Sequence, residues 1–300
     1  MLIKEEKIKL SKHDNKVGIL IVNGGIDPKY GKWIELCIDK IIEYTSRGNY
    51  HIFVWNNNVH DYSICEYLGN IDCVTLIQAN PNESLAHPHA VPLQRLYEHC
   101  KADDYTYVVT MDSDAHPICD GWLENLIYAL DETVVLAGVW RNELKKAIDP
   151  YIHASCLCTT VEFVEKHALR FDYSPFGADG KIRDTLSHFT EKALIEGLSV
   201  FRLERSNRNS FHRLMGGVYG DLIYHHGAGS RVTISFWDDV KILFISKFLT
   251  ENYKRIRNRS SHLLFSEYSQ YLKWLQGAAV DERFSKVMKK LSRINFIAVE

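Results

Sequence analysis

Long apolar runs are missing from this sequence. No uninterrupted apolar stretch reaches the length of about 18 residues that a membrane-spanning helix needs. Charged residues are spread along residues 1–16, so the apolar core of a secretory signal is also missing there. We therefore expect a cytoplasmic protein.

Paired cysteines are missing as well. The sequence has seven cysteines, an odd number, at irregular spacings and without a Cys-x-x-Cys pair. This pattern argues against a disulfide framework and against a cysteine-based zinc site. We expect reduced thiols that are mostly buried.

An excess of charge of either sign is the third absence. The formal net charge is -2, so nothing in the overall charge would attract nucleic acid, and an anionic ligand has to be met by a local site. The hydrophobic fraction of 46% and the charged fraction of 25% are those of an ordinary globular protein. A length of 300 residues suits one large domain with a smaller appendage.

Strand and helix patterns alternate along most of the chain. Residues 17–22 form a continuous apolar run, typical of a strand that is buried on both faces of a parallel sheet. The order that follows predicts an α/β fold, a Rossmann-like domain whose open, mostly parallel sheet carries helices on both faces. The other predicted strands are 51–55, 74–77, 105–110, 134–139, 154–159, 198–203 and 221–224, and the predicted helices are 33–45, 91–102, 121–130 and 185–196.

The pattern changes near residue 237. Three amphipathic helical patterns follow, over 237–256, 262–276 and 281–293. We therefore predict a main domain over 1–235 and a helical appendage over 236–300. The basic and aromatic residues of the appendage fit a segment that packs on the main domain, and peripheral contact with the inner face of the membrane is the alternative.

Polar side chains follow several of the predicted strands. Ligands of open α/β sheets bind outside the carboxyl ends of the strands. The residues that we expect to contact such a ligand after the first two strands are Asn23, Asp27, Asn56 and Asn57.

Two carboxylates follow the strand predicted over 105–110. Asp112 and Asp114, with Ser113 between them, can both turn toward one point in the crevice. Their oxygen ligands suit Mg²⁺ or Mn²⁺, which can bridge a nucleotide diphosphate. A simple capped turn is the alternative, because aspartate is common in turns. The position after a buried strand favours a metal site that uses both aspartates, with Asp112 and Ser113 also turned toward the ligand.

A second cluster spans residues 225–231. It contains two adjacent histidines, then a glycine-rich turn and Arg231. A neutral imidazole is a common metal ligand, backbone N–H groups of a turn can bind phosphate, and arginine can bind it with two hydrogen bonds. Strand alternation allows only one of His225 and His226 to face the metal. We favour His226, next to the glycine, although inspection leaves the choice open.

Together these pieces resemble bacterial glycosyltransferases of the family 2 type, which have the glycosyltransferase A fold. The Asp112–Asp114 pair is the most specific element, and the order of the pieces adds to it. The matching segments lie within the first 235 residues and cover 17–22, 53–61, 80–86, 108–114, 121–123 and 224–231.

The resemblance implies a nucleotide-diphosphate sugar as the donor. It also implies a divalent metal on Asp114, with Asp112 toward the metal or the ribose, and transfer to an acceptor hydroxyl of a saccharide or lipid-linked saccharide. In the family a carboxylate after the second strand usually contacts the base. Asn56 and Asn57 stand there in this chain, so the nucleotide remains open.

An inverting transfer needs a general base near the acceptor hydroxyl. The family places an acidic residue at the start of a helix, and Asp184 fits best here, with Asp179 and Asp172 as the other candidates. A plain helix N-cap is the alternative role of Asp184. The family's Glu-Asp pair is absent, because Arg183 precedes Asp184.

Two other functions are compatible with a sheet of this kind. A nucleotidyltransferase usually needs a basic, glycine-rich loop after the first strand, whereas residues 23–27 have glycines but no Lys or Arg before Lys29. A non-catalytic binding or scaffold protein would be expected to lose its ligands, whereas Asp112, Asp114 and His226 are all present.

Overall fold

The computed structural model describes residues 15–24, 31–46, 48–83, 85, 88–142, 149–172, 184–206 and 217–225. The predicted appendage over 236–300 lies outside these ranges, so the domain division at residue 235 stays a prediction. Among the helices that are described, none has the length and apolar character needed to cross a bilayer.

A seven-stranded sheet forms the centre of the described structure, in the order β3-β2-β1-β4-β7-β6-β8. Strand β7 is antiparallel to β4 and β6, and every other pairing in the sheet is parallel. The predicted α/β fold with a mostly parallel sheet is therefore confirmed. The strands are β1 (Val17–Asn23), β2 (Tyr50–Asn56), β3 (Val74–Gln78), β4 (Tyr107–Asp112), β6 (Val134–Arg141), β7 (Tyr151–Thr160) and β8 (Ser199–Leu203).

A smaller antiparallel sheet lies next to the end of β4. Its strands are β5 (Ala115–Pro117), β9 (Gly217–Tyr219) and β10 (Ile223–His225), in the order β5-β10-β9. Strands β5 and β9 have only three residues each, too few for a periodic signal, and the sequence did not predict them. In this sheet His225 pairs with Ala115, the residue that follows Asp114.

Helices cover both faces of the large sheet, as predicted. Apolar side chains of β1 alternate between two cores, with Ile19 and Ile21 on one face and Leu20 and Val22 on the other. Helices α1, α2 and α4 pack on the first face, and α3, α5 and α6 pack on the second. The helices are α1 (Gly31–Tyr44), α2 (Tyr62–Gly69), α3 (Ala90–Ala102), α4 (Trp122–Ala129), α5 (Val161–Lys166) and α6 (Ser187–Ile195).

Two predicted helix starts are wrong. Helix α4 begins after Gly121, whose φ of 74° is left-handed, so it starts at Trp122 and not at the predicted residue 121. Helix α6 begins after Leu186, so Asp184 is not its N-cap. The φ of 64° at Leu186 is unusual for a bulky residue and marks a strained turn two positions after Asp184.

A glycine in β1 lets α3 lie close to the sheet. A Cβ atom added at Gly18 would lie 2.2 Å from the Sγ of Cys100, a buried residue of α3. Side chains larger than hydrogen therefore cannot enter this position unless the Cys100 side chain rotates or the helix moves.

We expect Gly18→Ala to destabilise the protein by about 1–3 kcal/mol, the usual cost of overpacking a core. Urea unfolding measures the change. Gly69→Ala is the matched control, because a Cβ there meets nothing within 4 Å. If the clash with Cys100 is the cause, Gly18→Ala should cost much less in a Cys100→Ala background, and an equal cost in both backgrounds would contradict this explanation.

Candidate functional site

The site lies where the chain changes direction across the sheet. Strands β2 and β3 follow β1 on one side of it. The chain then crosses back, so that β4 pairs with β1 on its other side. Such a switch point opens a crevice at the carboxyl ends of the two central strands. Here those ends carry Asn23 of β1 and Asp112 of β4.

Two carboxylates and an imidazole meet at this crevice. The Nε2 atom of His225 lies 3.3 Å from Oδ2 of Asp112 and 3.5 Å from Oδ1 of Asp114. All three side chains are largely buried, at 5% exposed for His225, 19% for Asp112 and 14% for Asp114. The structure thus brings the predicted aspartate pair together with a histidine of the 225–231 cluster.

The histidine that meets the aspartates is His225. Strand β10 pairs with β5, which continues from the aspartates, and this pairing carries His225 to them. Its neighbour Tyr224 points to the other face, where its ring lies 5.2 Å from that of His116. His226, which we favoured as the ligand, lies outside the described residues, as do Asp27 and Arg231.

Two more imidazoles surround Asp112. Nε2 of His89, at the start of α3, lies 3.3 Å from Oδ1 of Asp112. A ring nitrogen of His153 in β7 belongs to a group with Asp112 and His225 whose ligand atoms all lie within 4.8 Å of one another. The sequence did not predict a role for either histidine.

The ionisation of Asp112 depends on these neighbours. Burial by itself raises the pKa of this carboxyl, but contacts with His225 and His89 and the nearby His153 hold the pKa well below its usual range. Asp112 is therefore a carboxylate at neutral pH, the form that an oxygen ligand of a metal needs.

Asp184 lies on the other side of His153. Its Oδ2 accepts a hydrogen bond from the hydroxyl of Tyr151 and lies 3.6 Å from Nε2 of His153. Its Oδ1 accepts the backbone N–H of Thr185 at 2.8 Å. Burial raises the pKa of Asp184, but the contacts with His153, Tyr151 and Thr185 outweigh burial and hold the pKa below its usual range.

The asparagines that we predicted as donor contacts form hydrogen bonds between the ends of neighbouring strands. Asn23 Nδ2 donates to Asn56 Oδ1 at 2.9 Å, and Asn56 Nδ2 donates to Gln78 Oε1 at 3.2 Å. Asn23 and Asn56 are buried, and the amide of Asn57 is bonded to the indole of Trp55 and to the carbonyl of Pro88. These contacts give the asparagines a structural role, and their predicted role in donor binding stays a prediction. Ser113 lies partly exposed between the two aspartates.

The donor set of Asp112, Asp114 and His225 fits a small divalent cation. Neighbouring ligands of an octahedral ion with bonds of about 2.1 Å lie roughly 3 Å apart, so the observed 3.3 and 3.5 Å need only a small contraction. Carboxylate and imidazole ligands together suit Mn²⁺. The site could therefore hold the predicted divalent metal.

His153 was missed because β7 runs against the other strands. The prediction considered only residues at the carboxyl end of each strand. An antiparallel strand has its amino-terminal end at that same edge of the sheet. Strand β7 pairs Cys156 with Met111, so its earlier residues extend past the end of β4. The alternation that begins with Tyr151 and His153 just before the predicted strand, and continues with Ser155 inside it, was the available signal.

No protein-family model matches the sequence, and a comparison with curated proteins finds no match. Solved structures with a similar fold include the mannosyltransferase PcManGT from Pyrobaculum calidifontis with GDP-Man and Mn²⁺ (13% identity, 95% of this chain and 81% of that one, TM-score 0.46). They also include S. aureus TarS 1–349 (11% identity, 88% and 81%, TM-score 0.45) and the bifunctional glycosyltransferase WbbM (17% identity, 52% and 33%, TM-score 0.36). Since the TM-scores of these structures are below 0.5, the function proposed below rests on the site and on the sequence motifs.

The contacts of Asp184 predict an acid-sensitive part of the stability. Because folding lowers the pKa of this carboxyl, its contribution is complete above the unfolded-state pKa of about 3.9 and is lost as the pH falls below that value. We expect Asp184→Asn to reduce the difference in free energy of unfolding between pH 5 and pH 3. The change should not exceed about 1 kcal/mol, since the side chain is 37% exposed.

Urea unfolding of both proteins at the two pH values measures this difference. Tyr151→Phe, which removes one donor to the same carboxylate, should act in the same direction. An Asp184→Asn protein that loses as much stability as the wild type between pH 5 and pH 3 would contradict the prediction.

Proposed function

We propose that the protein is a metal-dependent glycosyltransferase that moves a sugar from a nucleotide-diphosphate sugar to an acceptor hydroxyl. The observation that carries this proposal is the meeting of Asp112, Asp114 and His225 at the switch point of an open α/β sheet, where Nε2 of His225 lies 3.3 Å from Oδ2 of Asp112 and 3.5 Å from Oδ1 of Asp114. The order of the sequence motifs, which resembles that of family 2-type glycosyltransferases, supports the same reaction.

Asp112, Asp114 and His225 would hold Mn²⁺ or Mg²⁺. When bound, the ion supplies Lewis-acid stabilisation of the diphosphate as it leaves the sugar. The three side chains are held by different elements, β4, the turn that follows it and β10, so their relative positions are set by the sheet pairing. Ser113, Asp27 and Arg231 remain our candidates for contacts to the donor.

Asp184 is our candidate for the general base. Hydrogen bonds from Tyr151 and Thr185 orient its carboxylate, with Nε2 of His153 3.6 Å from Oδ2, and its 37% exposure leaves it open to a substrate. A low pKa makes Asp184 a weak base in the free protein, and displacement of water by the substrates would raise its basicity.

The acceptor follows from the resemblance alone, which points to a saccharide or a lipid-linked saccharide. A cytoplasmic location is part of the proposal, and contact between the 236–300 segment and the inner face of the membrane is the alternative to its packing on the main domain. A nucleotidyltransferase is less favoured, because the 23–27 loop lacks the basic residues that would bind a triphosphate.

The metal site predicts which ligands stabilise the protein. Thermal unfolding with a panel of nucleotide diphosphates and nucleotide sugars, including GDP-Man and UDP-GlcNAc, should show one nucleotide whose stabilising effect requires Mn²⁺. A ligand at 100 times its Kd adds about 2.7 kcal/mol to the native state. Asp114→Ala should abolish the effect, whereas Asp120→Ala, an exposed aspartate before α4, should retain it. A metal-independent effect, or none in the wild type, would favour the binding or scaffold function.

If Asp184 is the base, its replacement should slow the transfer of sugar without weakening the binding of metal and nucleotide. Asp184→Asn keeps the size and shape of the side chain but replaces one acceptor oxygen by an NH₂ group, and the amide cannot take a proton. We expect this variant to bind the metal and nucleotide with wild-type affinity while the transfer rate falls by roughly 10²–10⁴-fold. Rates of product formation at saturating donor, compared with nucleotide affinity by calorimetry, test this difference between transfer and binding. An unchanged transfer rate would dismiss Asp184 as the base.

A further inference from the structure

His153 lies between the proposed base and the proposed metal ligands. Its ring centroid is 5.3 Å from that of His225, and its Nε2 is 3.6 Å from Oδ2 of Asp184. Tyr151, two residues earlier on the same face of β7, reaches the same oxygen. Because His153 is near both centres, it could act as a metal ligand or as a partner of Asp184.

The other ring nitrogen decides between these roles. The backbone N–H of Ser155 donates to Nδ1 of His153 at 3.0 Å. A backbone N–H can only donate, so Nδ1 has its lone pair free of a proton. The proton of the neutral ring is therefore on Nε2, whereas a metal needs a ring nitrogen without a proton.

We propose that His153 is a positioning residue for Asp184 and not a metal ligand, because the Ser155 amide directs its Nε2–H toward Oδ2 of Asp184. The inference rests on the proposed function, in which Asp184 is the base. The metal would then be held by Asp112, Asp114 and His225. A ring nitrogen of His153 nevertheless lies within 4.8 Å of ligand atoms of Asp112 and His225.

The positions of the donors leave one oxygen of Asp184 for the substrate. Tyr151 and His153 both face Oδ2, and Thr185 donates to Oδ1. A carboxylate has about four lone-pair sites, so among the contacts of the described residues one site on Oδ1 is left. In the transfer, Oδ1 would take the proton of the acceptor hydroxyl while the acceptor oxygen bonds to the sugar carbon. The bond from that carbon to the diphosphate breaks, and its electron pair leaves with the diphosphate.

The tautomer of His153 can be observed without any substrate. Protein with ¹⁵N-labelled histidine rings is studied by NMR near pH 7.5, and the His153 signals are identified by their loss in His153→Gln. We expect the Nε2–H tautomer, unchanged when Mg²⁺ is added. A proton on Nδ1, or an Nε2 signal that responds to Mg²⁺ as a ligand's would, overturns the proposal. Since no donor is present, this result does not depend on whether the protein transfers sugar.

Variants of His153 test its effect on the base. His153→Gln keeps an N–H donor near the position of Nε2, and His153→Ala removes it. We expect kcat to fall roughly 10–100-fold in His153→Ala and to recover to within about threefold of the wild type in His153→Gln. The KM for the donor should change little in either variant.

Affinity for Mn²⁺, measured by electron paramagnetic resonance without substrate, separates positioning from ligation. It should stay at the wild-type value in His153→Gln, fall at least roughly tenfold in His225→Gln, and stay unchanged in the matched control His99→Gln, an exposed histidine on α3. An equal loss of Mn²⁺ affinity in His153→Gln and His225→Gln would make His153 a ligand. An equal loss of kcat in His153→Gln and His153→Ala would make its role only structural, and either result overturns the proposal.

Discussion

The negative charge of a carboxylate that is largely removed from water has to be stabilised by neighbouring groups, and at Asp112 imidazole rings provide this stabilisation. This side chain is only 19% exposed, yet its contacts keep the pKa well below the usual range. His89 and His225 touch its two oxygens, and His153 acts from slightly further away. Loss of one partner would leave a buried charge that is only partly compensated. The arrangement of β4, α3, β7 and β10 around this point can be understood as the way in which the chain brings three histidines to one aspartate.

Among the described strands of the large sheet, β7 is the one that runs antiparallel to its neighbours, and it supplies the residues that contact Asp184. Parallel strands bring only their carboxyl ends to the crevice, and in this sheet those ends supply asparagines and the aspartate pair. Strand β7 runs the other way, so the residues at its start, Tyr151 and His153, reach the same edge and contact Asp184. The proposed base thus depends on a reversal of strand direction, while the proposed metal site depends on the parallel part of the sheet and on the small sheet that follows it.

The sequence predicted those parts of the structure that arise from local patterns. Buried runs such as 17–22 and the periodic helices over 33–45 and 91–102 lie within one or two residues of their positions in the structure. Asp112 and Asp114 were found because they follow a strand. By contrast, the pairing of His225 with Ala115 depends on residues far apart in the chain, and the direction of β7 is set by its neighbours in the sheet. Local periodicity contains neither kind of information, so the histidines were placed less well than the aspartates.

The amides at the strand ends show why residue type and position were not sufficient. Asn23 and Asn56 occupy the positions where a ligand-binding side chain is expected, but each satisfies the other in a buried hydrogen bond. Buried polar groups need partners whether or not a ligand is present, and two adjacent parallel strands that end in amides can meet that need themselves. An aspartate at position 56 could still accept the hydrogen bond from Asn23, but it has no N–H to donate to Gln78. In the described structure these asparagines therefore take part in strand-to-strand hydrogen bonds, and a donor that used them would have to replace those bonds.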